Sequence, residues 1–274
     1  ERPHAPIAPK ADGGYYVAFN DMQQKYMRVV EYDSTDKVQN DILLKSIPNS
    51  YPLDIIETDF GFAIYARNAE DENHSFLATF TSKYEKRTVT TIMNNGKAGE
   101  EKSEAIIFYD GKKEPLFGLG KMHQPHNGKL AYGKGKLNLI FAHYNTFENG
   151  GHTGDTYYSF EATPSVETTK YAWGWQSSHS LIQSHIYDGR YFVTAALGDA
   201  YPEGITVNVI DISKGGNILD AVKNSYPNIK FSTNNIIAGK ILGNRKGNSM
   251  GRLGGLLNFG SFYAIVYSVK PSEN

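Results

Sequence analysis

Apolar runs recur along this chain in pairs, and each pair is hinged on a glycine. The pairs read HAPIAPKADGGYYVAFN from His4, PLDIIETDFGFAIYAR from Pro52, HNGKLAYGKGKLNLIFAH from His126, SLIQSHIYDGRYFVTAAL from Ser180 and RLGGLLNFGSFYAIVY from Arg252. Two strand-like runs joined by a Gly turn read as an antiparallel hairpin. The second run is the more continuously apolar in residues 15–19, 62–66, 137–142 and 191–197. A strand buried on both faces reads this way, whereas a strand with one wet face alternates. Alternating third strands are predicted at 26–32, 75–80, 156–160 and 205–210, and weaker fourth strands at 42–44 and 89–93. No segment carries a helical period of useful length; 218–223 comes nearest.

The hinge glycines Gly14, Gly61, Gly135, Gly189 and Gly260 stand 47, 74, 54 and 71 residues apart. Two intervals match the ~40–50 residues of a four-stranded unit repeated around an axis. The longer two carry surplus chain at 94–125 and 224–250. Each surplus holds one more apolar run, at 105–109 and 236–242. These runs are either insertions or outer strands of the same units.

An apolar inner strand grading to alternating outer strands, repeated five times, resembles the broad class of β-propeller repeat proteins. The Trp-Asp dipeptide of the best-known propeller repeat is absent and its Gly-His signature does not recur, so no narrower family is implied. The resemblance implies an all-β fold, a single domain over 1–274 and about five blades. The fifth copy holds only two strands, so closing the ring needs strands from the surplus segments or from a longer natural polypeptide.

Composition agrees with this picture. The chain is 40% hydrophobic and 21% charged, with Tyr 19 and Phe 14 supplying strand-favouring aromatics. A net charge of −1 gives no basic footprint for nucleic acid. No apolar run approaches the ~18 residues of a membrane span. Cysteine is absent, which excludes disulfides, Cys-ligated metal and a cysteine nucleophile. A glycosylation sequon, Asn73-His74-Ser75, and a start at Glu1 rather than Met point to an exported, processed protein.

Candidate chemistry follows from registering the copies. Propeller sites lie where the loops leading into the innermost strands converge. This brings His4, His126, His179 and Arg252 to one mouth, with Pro52-Leu53-Asp54 as the odd copy. Imidazole and guanidinium together suit a metal or an anion. Loops leaving the second strands fall on the same side and add Asp21, His152, Asp155 and Asp199. Asp21, Asp155 and Asp199 would suit Ca²⁺, which takes six to eight oxygens. Asn, Asp and Gly are equally the ordinary residues of turns. The polar stretch from Asn145 to Asp155 reads as a long loop, with His152 and Asp155 spaced as a base and its orienter.

Trp173 and Trp175, the chain's only tryptophans, precede the fourth inner strand and share a strand face by their spacing. They read as a sugar or protein platform or as a wedge between blades. Gly118-Leu119-Gly120-Lys121, Gly133-Lys134-Gly135-Lys136 and the Asn127-Gly128 pair read as turns. The resulting expectation is a ligand-binding propeller, an extracellular glycan- or protein-binding module. Two rivals stand beside it. One is a Ca- or His-dependent hydrolase or lyase using His126, His152, Asp155 and His179. The other is a structural subunit assembling through blade edges.

Overall fold

The computed structural model describes residues 5–71, 74–94, 106–109, 117–119, 127–146, 152–161, 171–175, 181–187, 191–198, 204–211, 236–242, 252–259 and 262–268. They form strands and turns, with no helix among the described residues. The first sheet contains β1 (Ile7–Pro9), β2 (Tyr15–Asp21), β3 (Tyr26–Tyr32) and β4 (Val38–Leu43). The second runs through β5 (Ser50–Thr58), β6 (Gly61–Asn68), β7 (His74–Thr81), β8 (Lys86–Asn94), β9 (Ile106–Tyr109) and β10 (Phe117–Leu119). The third holds β11 (Asn127–Gly133), β12 (Lys136–Thr146), β13 (His152–Glu161) and β14 (Tyr171–Trp175). The fourth holds β15 (Leu181–Tyr187), β16 (Tyr191–Gly198), β17 (Gly204–Asp211) and β18 (Ile236–Leu242). A hairpin of β19 (Arg252–Asn258) and β20 (Tyr263–Ser268) is the fifth. Each strand pairs antiparallel with its sequence neighbour inside its sheet.

The two surplus segments resolve differently. Residues 236–242 become β18, the fourth strand of an ordinary four-stranded sheet, so that interval is long only because its connection is long. Ile106–Tyr109 instead adds β9 beyond β8, extending the second sheet past four strands. Three expected turns or loops are strands. Asn127 and Gly128 open β11, and Gly118 lies inside β10. Both ends of the supposed long loop are ladder, because Asn145 pairs with Thr153 and Thr146 with His152. Backbone pairing with a neighbour, which local composition does not encode, decided all three. Lys134 and Gly135 do form a turn, both at positive φ. The weak helical stretch 218–223 lies outside the described residues.

Sheets stack in chain order through their first strands. β5 packs against β1 and β2 on one side and β11 on the other; β11 packs against β15, and β15 against β19. The core between the first two sheets combines Tyr16, Ala18, Met27 and Val29 with Ile55, Phe62, Ile64 and Phe80. Burial follows the stacking. In β6, residues 61–66 are all buried, while in β2 only Tyr16 and Ala18 are. β4, at the outer edge, is exposed along most of its length.

Contacts between sheets also give the strands a common direction. The β1–β2 turn meets the end of β5, where Ala11 N donates to Glu57 Oε2 at 2.7 Å. The end of β2 meets the start of β5, where Asn20 Nδ2 donates to Ser50 O at 2.8 Å. Gly128 near the start of β11 lies against the Tyr65 ring, while Tyr132 near its end meets Phe60 edge-on at 5.9 Å. So β1, β5 and β11 run the same way. Their starts define a leading end of the stack, and their hairpin turns define a turn end.

Candidate functional site

At the leading end, the second sheet supplies a well-described polar rim. Asn20 Nδ2 also donates to Asn49 Oδ1 at 2.7 Å, tying the end of β2 to the chain entering β5. Asn68 closes β6 by accepting from Glu70 N at 2.8 Å and Asp71 N at 3.2 Å, an Asx turn. That turn carries Asp71 to His74, whose Nδ1 lies 2.5 Å from Asp71 Oδ2. Arg67 sits over the Tyr51 ring, 5.7 Å from its centroid.

Further along β5, Asp54 stands beside a β-bulge that shifts the register between Pro52 and Asp54. The bulge coincides with a carboxylate that crosses to the third sheet. Leu130 N donates to Asp54 Oδ2 at 2.7 Å, and Lys129 Nζ lies 3.5 Å from Oδ1. Burial pushes the Asp54 carboxyl up, with Lys129 and the Leu130 N–H acting against it. The odd copy of the sequence repeat is thus where the second and third sheets are joined by charge. Bulges interrupt the first strands of the fourth and fifth sheets too, between Ile182 and Ser184 and between Leu253 and Gly255.

Asp21 ends β2 at this rim, and its carboxylate is engaged within the first sheet. Oδ2 accepts from Arg28 Nη2 at 2.8 Å, and Oδ1 accepts from Gln24 N at 3.0 Å and Gln23 N at 3.1 Å. The Gln24 N–H first and the Arg28 guanidinium second hold the carboxyl below its ordinary value. Arg28 is the cation that faces this carboxylate. Among the described residues, no group of three or more His, Asp or Glu side chains is gathered closely enough to hold a metal ion.

The other candidates fall as follows. Arg252 opens β19, and His152 and Asp155 lie in the first half of β13 rather than in a loop. Trp173 and Trp175 belong to β14, the last strand of the third sheet, which precedes β15. Trp173 pairs with Tyr158 and Trp175 with Thr156. Tyr158 pairs with Phe141, which pairs with Gly128. The register therefore sets Trp173 in the same cross-strand row as Gly128. His4, His126, His179 and Asp199 lie outside the described residues. Sequence reasoning missed Arg67 on Tyr51 and the Asp71–His74 pair; an Asp-x-x-His spacing was the one local signal of the latter.

The turn end is built differently. Glu31 of β3 accepts from Lys10 Nζ at 2.6 Å, Asn40 Nδ2 at 2.6 Å and the Tyr84 hydroxyl. These donors come from the β1–β2 turn, β4 and the β7–β8 turn, so the cluster clamps the first two sheets. Partial burial works against the Glu31 charge, yet the bonds from Lys10, Tyr84 and Asn40 prevail and hold its carboxyl below the ordinary 4.5. A depressed carboxyl stabilises the fold above its unfolded pKa, and that contribution is lost as pH falls through the folded value. The thermal midpoint is therefore expected to drop as pH falls below the ordinary value of 4.5, and Glu31→Gln to start lower and drop less. Equal slopes for the two proteins in thermal scans would remove Glu31 from that account.

No family model and no curated protein matches the chain. Among solved structures it is similar to a protein from a structural and mechanistic study of two prolyl endopeptidases. The TM-score is 0.29 at 10% identity, and the match covers 98% of this chain and 48% of the other. The chain thus spans about half the length of that protein.

Proposed function

We propose that the stacked sheets are blades of a β-propeller arc whose leading end binds a carboxylate-bearing ligand, an acidic glycan or an acidic protein segment. One observation carries the reading: basic or imidazole residues stand at the starts of four of the five first strands. His126 immediately precedes β11, His179 comes two residues before β15, His4 three before β1, and Arg252 opens β19. First strands that run alike and pack in a row bring their starts to one end. Imidazole and guanidinium groups brought to one end would favour an anion, and Arg offers the paired geometry a carboxylate accepts. Arg67 on Tyr51 and the Asp71–His74 pair support the same end as the polar one. The Asn73-His74-Ser75 sequon supports an exported setting, where such ligands are displayed.

Calorimetric titration with an oligogalacturonate, a neutral oligosaccharide of equal length and a polyglutamate peptide tests this. Binding is expected for an acidic ligand and not for the neutral one. Arg252→Ala combined with His126→Ala is expected to weaken it by at least about tenfold, the loss of one charge-assisted hydrogen bond. Equal binding of neutral and acidic ligands, or an unaffected double variant, would sink the reading. Chromatography of the titrated glycan separates the hydrolase or lyase, which alone would leave shortened products. Repeating the titration with a chelator reads any dependence on Ca²⁺.

A further inference from the structure

Two carboxylates stand at the junctions on either side of the second sheet, and they are held differently. Glu31, between the first and second sheets, collects three donors from three elements. They are Lys10 Nζ from the β1–β2 turn and Asn40 Nδ2 from β4, both at 2.6 Å, and the Tyr84 hydroxyl from the β7–β8 turn. Asp54, between the second and third sheets, receives the Leu130 N–H at 2.7 Å and has Lys129 Nζ at the longer distance of 3.5 Å. The two side chains are 13% and 15% exposed, so little water reaches either carboxylate in place of a protein donor. Burial disfavours a charged carboxyl and donors favour it. Glu31 has the donors to offset its burial, and Asp54 does not.

The surroundings add no opposing charge. Tyr16 of β2 stands opposite Glu31, Asp12 shares Lys10 with it, and Glu57 at the end of β5 accepts the Ala11 N–H. Asp54 has Tyr65 opposite it in β6, the hydroxyl of which is given to Ser75, and Lys129 across the junction in β11. Its neighbour Ile55 is the residue that packs into the core with the first sheet.

We propose that the two junctions answer acid in opposite senses: a fall in pH loosens the first sheet from the second and tightens the second sheet on the third. Each sense follows from where the proton sits more easily. A carboxyl held low in the joined state favours joining above its free value, and that benefit is lost as pH falls. A carboxyl held high binds its proton better joined than free, so acid favours joining. Burial works against the Glu31 charge, yet Lys10, Tyr84 and Asn40 hold it low, so the first junction weakens below the ordinary 4.5. Burial holds Asp54 high against Lys129 and the Leu130 N–H, so the second junction strengthens on the way down to the ordinary 3.8. The second sheet is the pivot, releasing the first sheet in acid while keeping the third. Neither junction depends on what the leading end binds.

Two backbone amides report the junctions. The Ala11 N–H crosses from the first sheet to Glu57 of the second, and the Leu130 N–H crosses from the third to Asp54. Residue-resolved hydrogen exchange of the 274-residue chain, read as protection factors from about pH 7 to about pH 3.5, is the test. On acidification, protection at Leu130 is expected to rise at least about threefold and protection at Ala11 to fall by as much. Glu31→Gln is expected to flatten the Ala11 response and leave that of Leu130, which separates Glu31 from Glu57. Asp54→Asn is expected to do the reverse. Lys129→Gln removes the ammonium that opposes burial and is expected to enlarge the Leu130 response. Protection falling at both amides together, or rising at neither, would overturn the proposal. So would an Ala11 response unchanged by Glu31→Gln, or a Leu130 response unchanged by both Asp54→Asn and Lys129→Gln.

Discussion

Replacing Gly128 with alanine is expected to separate the second sheet from the third. A Cβ at this position would lie 1.9 Å from Tyr65 Cε1 and 2.2 Å from Cδ1. The Tyr65 ring cannot step aside easily, because it is fully buried and its hydroxyl donates to Ser75 Oγ at 3.0 Å. Two effects oppose each other. Alanine costs less chain entropy than glycine in a strand, a gain of about 0.5–1 kcal/mol. Overpacking a dense core costs about 1–3 kcal/mol and more where the neighbours are rigid. The clash wins, and the expected loss is about 2 kcal/mol or more in denaturant unfolding. Combined with Tyr65→Ala it should cost less than the sum of the two single changes, since the second removes the atoms that clash. A Gly128→Ala variant whose unfolding midpoint equals that of wild type would mean that Tyr65 does not press on β11.

The second large effect is expected at Phe62. Its ring is fully buried, stacks on Phe80 at 5.0 Å, and lies 5.3 Å from Tyr16 and 5.6 Å from Tyr84. Phe62 therefore joins β2, β7 and the β7–β8 turn in one aromatic group. Phe62→Ala removes the transfer energy of the ring and leaves a cavity, about 3–5 kcal/mol together. That is a large share of the ~5–15 kcal/mol that holds a typical domain. Phe62→Leu keeps most of the volume and should cost less than half as much. Thermal unfolding monitored by near-ultraviolet circular dichroism reads both variants. A loss below about 1 kcal/mol for Phe62→Ala would show that the first two sheets are not held by this core.

The strands are legible in the sequence because their signal is local. The third strand at 26–32 has the same bounds in sequence pattern and structure, and so does the apolar run at 236–242 that forms β18. The Gly-Lys turn of residues 133–136 is legible for the same reason, as lysine and glycine there take the positive φ of a tight hairpin. Misreadings gather where pairing overrides local composition. Asn127-Gly128 carries the residues of a tight turn, but β12 offers partners for both, and the close Tyr65 ring is what requires glycine. His152 and Asp155 look like loop ligands because they follow glycines, yet β12 continues far enough to pair with His152.

The candidate site divides in the same way. The succession of His and Arg residues before the first strands is readable, because chain order and strand starts lie in the sequence. Contacts that cross strands or sheets are not. Asp54 reaching Leu130, Glu31 receiving Lys10 and Tyr84, and Arg28 occupying Asp21 join residues far apart in sequence or across strands. Charge partners at such separations leave no periodic trace. Periodicity and turn chemistry act within a few residues, so the order of amino acids is enough to set the strands, their antiparallel order and their apolar inner faces. Which sheet covers which face, where a glycine must admit a ring, and which faces stay open are settled only when distant strands pack, because those contacts do not exist until the sheets meet.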